Sequence, residues 1–467
     1  MSAPERPVSI SWFDAEDAPN KIDLRTCIHC GLCLTACPTY RTLRIEPDSP
    51  RGRLYLMRGL SEGRVAADDE LVRHLDQCLD CRACETVCPA GVPYSKLLEQ
   101  TRGQLTRRRP NRSPLRALGT WVLEHVMPER DRMHLMVDLL RLGQRPPFAG
   151  LVRGAIARGW LPDFARRGWD MTPELAPRRA RGLDALESRL PPGARLERRG
   201  DALVFHPAGT PKLRVGFFTA CVMDTMFPDI NHEAVRLLVL AGCRVEAPVA
   251  QTCCGALQAH AGLRRTARRL ARRNALAFDT GFDAIVSDSA GCGAALREGG
   301  HLLEESAEAE RGAAFSAKVR DIAEVLASAG LPPATHTLSS SIDPSQPLRI
   351  GYHDPCHLAH AQKVRNEPRR LLRALPGVEL VNLPNSDWCC GSAGIYNLTH
   401  PDMANEQLAQ KLDSIEKVAP ELVVASNPGC LLHMQRGARE RGMRARMVHL
   451  VEVLAMAYPT ESQPTSP

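Results

Sequence analysis

Two cysteine runs constrain this chain more than any other feature. The first reads Cys27, Cys30, Cys33, Cys37 and Pro38; the second, forty residues later, reads Cys78, Cys81, Cys84, Cys88 and Pro89. Each has the spacing C-x2-C-x2-C-x3-C-P, in which three closely spaced thiolates wrap one cubane and the fourth ligates its neighbour. That rule assigns one [4Fe-4S] cluster to Cys27, Cys30, Cys33 and Cys88, and the other to Cys37, Cys78, Cys81 and Cys84. The crossing ties both clusters into one compact unit. A structural zinc site draws on two separated C-x2-C pairs, so four cysteines within eleven residues, present twice, favour iron–sulfur over zinc or disulfides.

The 467 residues leave room for several domains and a sizeable core. Seventeen cysteines in a chain that opens without a signal-peptide pattern point to a reducing, cytoplasmic compartment with thiols kept for metal. No apolar run reaches the length of a membrane-spanning helix, so membrane association is peripheral at most. The net charge of +7 gathers in arginines between Arg102 and Arg199. Without interleaved aromatics or a binding motif these support a nucleic-acid reading only weakly and better suit a solvated connector, or a docking face for an acidic partner or anionic lipid.

Residues 1–20 carry no periodicity and are expected as an extended arm. Helical spacing of Leu54, Leu56, Met57 and Leu60, then of Leu71, Val72 and Leu75, makes the cluster domain, 21–105, mostly helical. Residues 106–211 read as an Arg/Pro-rich helical linker broken by Pro110, Pro146-Pro147, Pro162 and Pro191-Pro192. From Leu213 short apolar strands alternate with amphipathic helices, which predicts parallel α/β units. The pattern runs through 212–340 and again through 341–457, and 458–467 is expected as a disordered tail. The fold class is therefore α+β overall, a helical two-cluster ferredoxin-type domain followed by two duplicated α/β cysteine-rich domains.

The cysteines carry the duplication best. Cys221, Cys253, Cys254 and Cys292 recur as Cys356, Cys389, Cys390 and Cys430, at offsets of 135, 136, 136 and 138, with Gly255 and Gly391 after each pair. Each lies just past a predicted strand and before a helix, where open α/β sheets gather ligands. Small buried hydrophobes, a redox dithiol, or cluster ligands are the three readings of these pairs. His357 and His360 flank Cys356 as hydrogen-bonding residues or ligands. Gly291-Cys292-Gly293 begins like a G-x-G-x-x-G loop but reaches Leu296 where the last glycine belongs, and no flavin or nucleotide fingerprint is present.

The tandem C…CCG…C repeat resembles the cysteine-rich domain of heterodisulfide reductases and of lactate-utilisation proteins. Together with Cys-Pro-Thr-Tyr at 37–40, Pro-Arg-Gly-Arg-Leu-Tyr-Leu at 50–56, Cys-Pro-Ala-Gly-Val at 88–92, Cys-Cys-Gly-Ser-Ala-Gly at 389–394 and Leu-Thr-His-Pro-Asp at 398–402, the chain resembles the iron–sulfur subunits of glycolate oxidase (glycolate dehydrogenase). The resemblance implies two [4Fe-4S] clusters, with none, one or two more in the repeats. It also implies an FAD-containing flavoprotein partner that oxidises glycolate to glyoxylate, and a quinone or other acceptor. Lactate and anaerobic glycerol-3-phosphate dehydrogenases use similar subunits, and a heterodisulfide-reductase-like catalytic repeat is the further alternative. In that last family a fifth cysteine closes each repeat; here Ala295 and His433 stand in its place.

Overall fold

A computed structural model describes residues 11–109, 113–278 and 281–459. The chain divides into two compact units. The first holds residues up to Thr120 together with Leu257–Arg265, and the second holds Trp121–Ala256 and the chain from Thr266 onward.

The first unit is helical, as the apolar spacing requires. Its core is built from Leu54, Met57 and Leu60 of helix Pro50–Ser61, Leu71 and Leu75 of Asp69–Asp76, and Leu97, Leu98 and Leu105 of Tyr94–Arg108. Local chemistry sets the helix starts. Pro50 stands in the first turn and the Ser49 hydroxyl accepts from Gly52 N at 3.0 Å, while Asp68 caps the next helix through Leu71 N at 2.9 Å. Gly52 is required, because a Cβ there would meet the Glu46 carbonyl oxygen at 1.9 Å.

Arg53 is fully buried and knits this unit together. Its Nε donates to His74 O at 2.6 Å, one terminal nitrogen to Thr39 Oγ1 at 3.0 Å and the other to Asp48 Oδ1 at 3.3 Å. His74 Nδ1 lies 3.0 Å from the same carboxylate. Burial opposes the guanidinium charge, but the thiols of Cys78 and Cys37, Tyr94 and the Asp48 carboxylate outweigh it and raise its pKa.

The arm differs from expectation over its described part, 11–20. Phe13 is buried, Trp12 N donates to Leu60 O at 3.0 Å, and Asp14 holds Arg107 at 2.5 Å. These contacts are individual rather than periodic, so no pattern announces them. Residues 1–10 of the arm, and 460–467 of the expected tail, lie outside the described residues.

The second unit contains both α/β repeats. Strands β1 (Arg195–Arg199), β2 (Ala202–His206), β3 (Leu213–Phe217), β4 (Cys243–Pro248), β5 (Ala284–Ser287) and β6 (Val319–Asp321) form a sheet in the order β1-β2-β4-β3-β5-β6. Strands β7 (Leu348–Tyr352), β8 (Val378–Val381), β9 (Leu422–Ala425) and β10 (Arg446–His449) form the other, ordered β10-β9-β7-β8. The parallel order β4-β3-β5-β6 is repeated by β8-β7-β9-β10, so the duplication seen in the cysteines is a duplication of topology. In each sheet the first parallel strand stands between the second and third, and the crevice where the order reverses opens at its carboxyl end.

The linker differs as well. It carries the expected helices, Arg130–Gln144 the longest, but it also ends in the β1–β2 hairpin, which extends the first sheet antiparallel to β4. β1 reads Arg-Leu-Glu-Arg-Arg, a charged edge strand of the kind that blocks further pairing and disguises itself as a polar loop.

Replacing Arg53 by Met leaves the buried Asp48 without its guanidinium, with His74 beside it, and should destabilise the first unit by about 3–5 kcal/mol. Arg64→Met, on the surface, should stay within about 0.5 kcal/mol. Urea unfolding of the iron-loaded proteins measures both.

Candidate metal centres

The two ferredoxin-type runs fold into the same backbone shape. His29 and Gly31 in the first, Asp80 and Arg82 in the second, are all left-handed, with φ of 58°, 82°, 50° and 64°. They occupy the second and fourth positions after the opening cysteine, where the chain must curl to aim three thiols inward. In both runs the amide two residues on lies 3.4 Å from the opening sulfur, His29 N from Cys27 Sγ and Asp80 N from Cys78 Sγ. Only Gly31 advertises this curl in sequence; Arg82 adopts it at a conformational cost that glycine escapes.

Around the second run, thiols crowd. Burial raises the Cys84 pKa well above the ordinary thiol value, and the neighbouring Cys81, Cys78 and Cys37 raise it further. Cys37, the fourth cysteine of the first run, is near enough to Cys78 and Cys84 of the second to raise both. Cys33 is pushed up to about 11, by burial and then by Cys27 and Cys37. Such crowding favours a cation in place of the protons, and metal binding releases them. The donor set fits iron–sulfur chemistry: sulfur ligands, N–H groups aimed at sulfur, and the buried Arg53 and Arg102 guanidiniums beside Cys78 to offset a cluster's negative charge.

Exposure separates the two sets. Cys37, Cys81 and Cys84 are buried and Cys78 half-buried, whereas Cys30 is exposed and Cys27, Cys33 and Cys88 are half-buried. Ile28 and Leu32, 65% and 53% exposed, flank Cys30.

Residues 257–265 complete the first unit beside the second run. His260 Nδ1 lies 3.0 Å from Asp80 Oδ2 and 3.0 Å from Glu99 Oε1, and Arg264 pairs with Asp17 and Glu99. Burial opposes protonation of His260, but the two carboxylates hold its pKa up at about 10. Sequence reasoning missed this residue, which carries no motif.

In the second unit, β3, β4 and β5 deliver the four cysteines of the first repeat to one crevice. Cys221 follows β3 at the start of helix Cys221–Met226, and its Sγ stands 3.7 Å from Cys253 Sγ. Cys254 hydrogen-bonds with Cys253 and Cys292, and with burial these contacts raise its pKa well above the ordinary value. All four thiols are therefore gathered, a donor set that suits a soft metal or cluster. Gly255 turns at φ 87°, which lets the helix containing Ala267 pass at 3.5 Å from where a Cβ would sit. Cys243, the one cysteine outside the motifs, is buried in β4.

The second repeat gathers its residues differently. Cys390, Cys430 and His353 are all buried, and one ligand atom from each lies within 4.8 Å of the others. The Cys430 hydrogen bond lowers the Cys390 pKa, and the same bond together with burial raises that of Cys430. Cys389 is buried beside them and its sulfur accepts from Gly391 N at 3.4 Å. Cys356 is half-buried before a single π-helical turn, His357–Ala361. His360 lies 3.4 Å from Asp387 O through Nε2 and accepts from Arg365 at 3.2 Å through Nδ1, so it serves as a hydrogen-bonding residue. His433 turns its Nε2 to Ala404 O at 3.4 Å. Buried Lys411 donates to Asn385 O at 2.6 Å and Ser386 O at 3.1 Å, and it faces the Cys389, Cys390 and Cys430 thiols.

One side chain joins the repeats. Asn427 accepts from Gly291 N at 3.1 Å and donates to Cys430 Sγ at 3.3 Å. Gly293 is small to admit Gln362, whose amide would lie 2.9 Å from a Cβ there, so the Gly-x-Gly here serves packing and cradles no phosphate.

Comparison with known proteins agrees with both halves. The 4Fe-4S dicluster domain family matches residues 23–92, and the Cysteine-rich domain family matches 215–297 and 350–435. The probable glycolate oxidase iron-sulfur subunit of Bacillus subtilis is 36% identical over 441 residues, covering 93% of this chain and 94% of the relative. The glycolate oxidase iron-sulfur subunit of Escherichia coli is 31% identical over 445 residues, 94% and 95% of the two chains. Lactate utilization protein A of Oceanobacillus iheyensis is 28% identical over 244 residues, covering 52% of this chain and 96% of that one.

Because the folded-state pKa of His260 is raised from 6.5 to about 10, its contribution to stability is full below pH 6.5 and is lost as pH climbs toward 10. The thermal midpoint of the iron-loaded protein should fall across that window, and His260→Gln should flatten the slope.

Proposed function

The chain belongs to the family of glycolate oxidase iron-sulfur subunits, and from that premise we propose that it carries electrons away from a flavoprotein that oxidises glycolate to glyoxylate. It is a component of an oxidoreductase complex with multiple iron–sulfur clusters. The observation that carries the electron-transfer reading is the pairing of an exposed thiol set around Cys30 with a buried one around Cys81 and Cys84.

A bound [4Fe-4S] cluster supplies one-electron redox chemistry and nothing else is asked of it. We assign Cys27, Cys30, Cys33 and Cys88 to one cluster and Cys37, Cys78, Cys81 and Cys84 to the other. Cys37 supports the crossing, since its thiol is near enough to Cys78 and Cys84 to raise the pKa of both. Arg53 and Arg102 compensate charge at the buried set, and the N–H groups of His29 and Asp80 point at sulfur. Ile28 and Leu32 offer an apolar contact beside Cys30, where an FAD-containing partner would bring its flavin near. In the repeats, Cys221, Cys253, Cys254 and Cys292 form a third thiol set, with Cys356, Cys389, Cys390 and Cys430 supplying the fourth.

Substrate selectivity belongs to the partner on this reading, and the electrons leave toward a quinone or another acceptor. No helix among the described residues is long and apolar enough to cross a membrane. The proposed location is the cytoplasm, with contact at the membrane through partners.

Cys30→Ser or Cys81→Ser should each remove one cluster and abolish glycolate-driven acceptor reduction, while the partner's flavin is still bleached by glycolate. Iron counting, electron paramagnetic resonance and flavin absorbance measure the three quantities. Normal acceptor reduction in such a variant would refute the reading. Ile28→Glu should retain iron yet slow electron transfer from the partner at least tenfold at limiting protein, the loss shrinking as concentration rises.

A further inference from the structure

The two repeats share a topology but their thiol crevices do not match, and the mismatch centres on one residue. His353 follows β7 as Phe218 follows β3, at the same offset of 135 that relates Leu348 to Leu213. The backbones agree: Phe218 N donates to Val286 O at 2.8 Å, and His353 N to Val424 O at 2.9 Å. Where the first repeat places a phenylalanine, the second places an imidazole.

That imidazole is fully buried and half used. Nδ1 lies 3.0 Å from Ser386 O; a carbonyl only accepts, so Nδ1 carries the proton and Nε2 keeps its lone pair. Nε2 is buried and has no hydrogen-bond partner. A buried polar atom left this way is costly unless something occupies its lone pair. A metal-ligating histidine characteristically donates its other ring N–H to a backbone carbonyl, which fixes the ring and the tautomer. One ligand atom from each of His353, Cys390 and Cys430 lies within 4.8 Å of the others, so the three side chains converge on one place in the crevice.

We propose that His353 Nε2 is a ligand of an iron–sulfur centre in the second repeat, acting with Cys390 and Cys430, so that this centre has mixed nitrogen and sulfur ligation while the first repeat's is all thiolate. The inference rests on the reading that the second repeat holds iron. It explains why the second repeat keeps a buried histidine at the crevice, while His360 turns both ring nitrogens to other partners. A second divergence accompanies it. Lys411 occupies the place of Asn274, by the offset of 137 that relates Ala404 to Ala267 beside the two CCG turns. Asn274 is neutral and holds Thr252 N and Cys253 O, whereas Lys411 sets a cation against the thiols of the second crevice. Histidine in place of cysteine raises a cluster's potential, and a nearby cation acts in the same direction.

The test uses the full chain, purified without oxygen after growth on 15N-labelled histidine. Pulsed electron paramagnetic resonance should show a directly coordinated histidine nitrogen, and His353→Phe should abolish it. That substitution installs the side chain the first repeat already accommodates, so folding is preserved, which far-ultraviolet circular dichroism checks. The iron lost in His353→Phe should equal that lost in Cys430→Ser, and His353→Cys should restore the iron count while lowering the midpoint potential of that centre. Iron loss in Cys430→Ser without loss in His353→Phe would overturn the histidine ligand alone. Full iron in Cys430→Ser would overturn both this ligand and the loading of the second repeat, while leaving the eight ferredoxin-type cysteines to be judged by Cys30→Ser and Cys81→Ser.

Discussion

Crowded thiols are the constraint on which the rest of this molecule depends. Sulfur ligands must be held close and partly out of water to grip a cluster, yet each thiolate brought near another repels it and loses hydration. The first unit answers with buried cations. Arg53 stands fully buried among Asp48, His74 and Thr39 and near Cys37 and Cys78, and Arg102 donates to the carbonyls of Leu75 and Cys78 at 2.9 and 2.8 Å. The helices are arranged to deliver these guanidiniums: Gly52 lets one pass close to Glu46, and Ser49 fixes where it begins.

The α/β repeats answer the same problem by topology. Three parallel strands ending side by side bring loops from three distant segments to one crevice, so Cys221, Cys253, Cys254 and Cys292 meet although 71 residues separate the first from the last. Duplication then provides two crevices, and Asn427 ties the loop of one to the sulfur of the other. At the crevice the copies differ, Phe218 against His353 and Asn274 against Lys411, while the parallel strand order is kept. A retained fold with changed crevice residues is what the proposed difference in ligation between the two repeats requires.

Periodicity and spacing carried far. The repeated C-x2-C-x2-C-x3-C-P runs and the 135 to 138 offsets required two cluster motifs and two equivalent domains, and strands β3 to β5 and β7 to β9 alternate with helices from Leu213 onward as expected. What escaped has a common cause. β1 is a charged edge strand, β6 is three residues long, and residues 11–20 are held by single contacts such as Phe13 and Asp14; none of these leaves a periodic trace. His353 escaped because its role needs β7, β8 and β9 to converge, while His357 and His360, which follow Cys356, looked the better candidates.

By itself the sequence determined the chemistry of the donors and their order along the chain, because ligand spacing within a run is a local property of a few residues. Only the tertiary structure decided which donors share a crevice, which set faces solvent, and which charges lie beside it. Those depend on segments far apart in sequence, brought together by the burial of apolar side chains that carry no record of the sulfur they position.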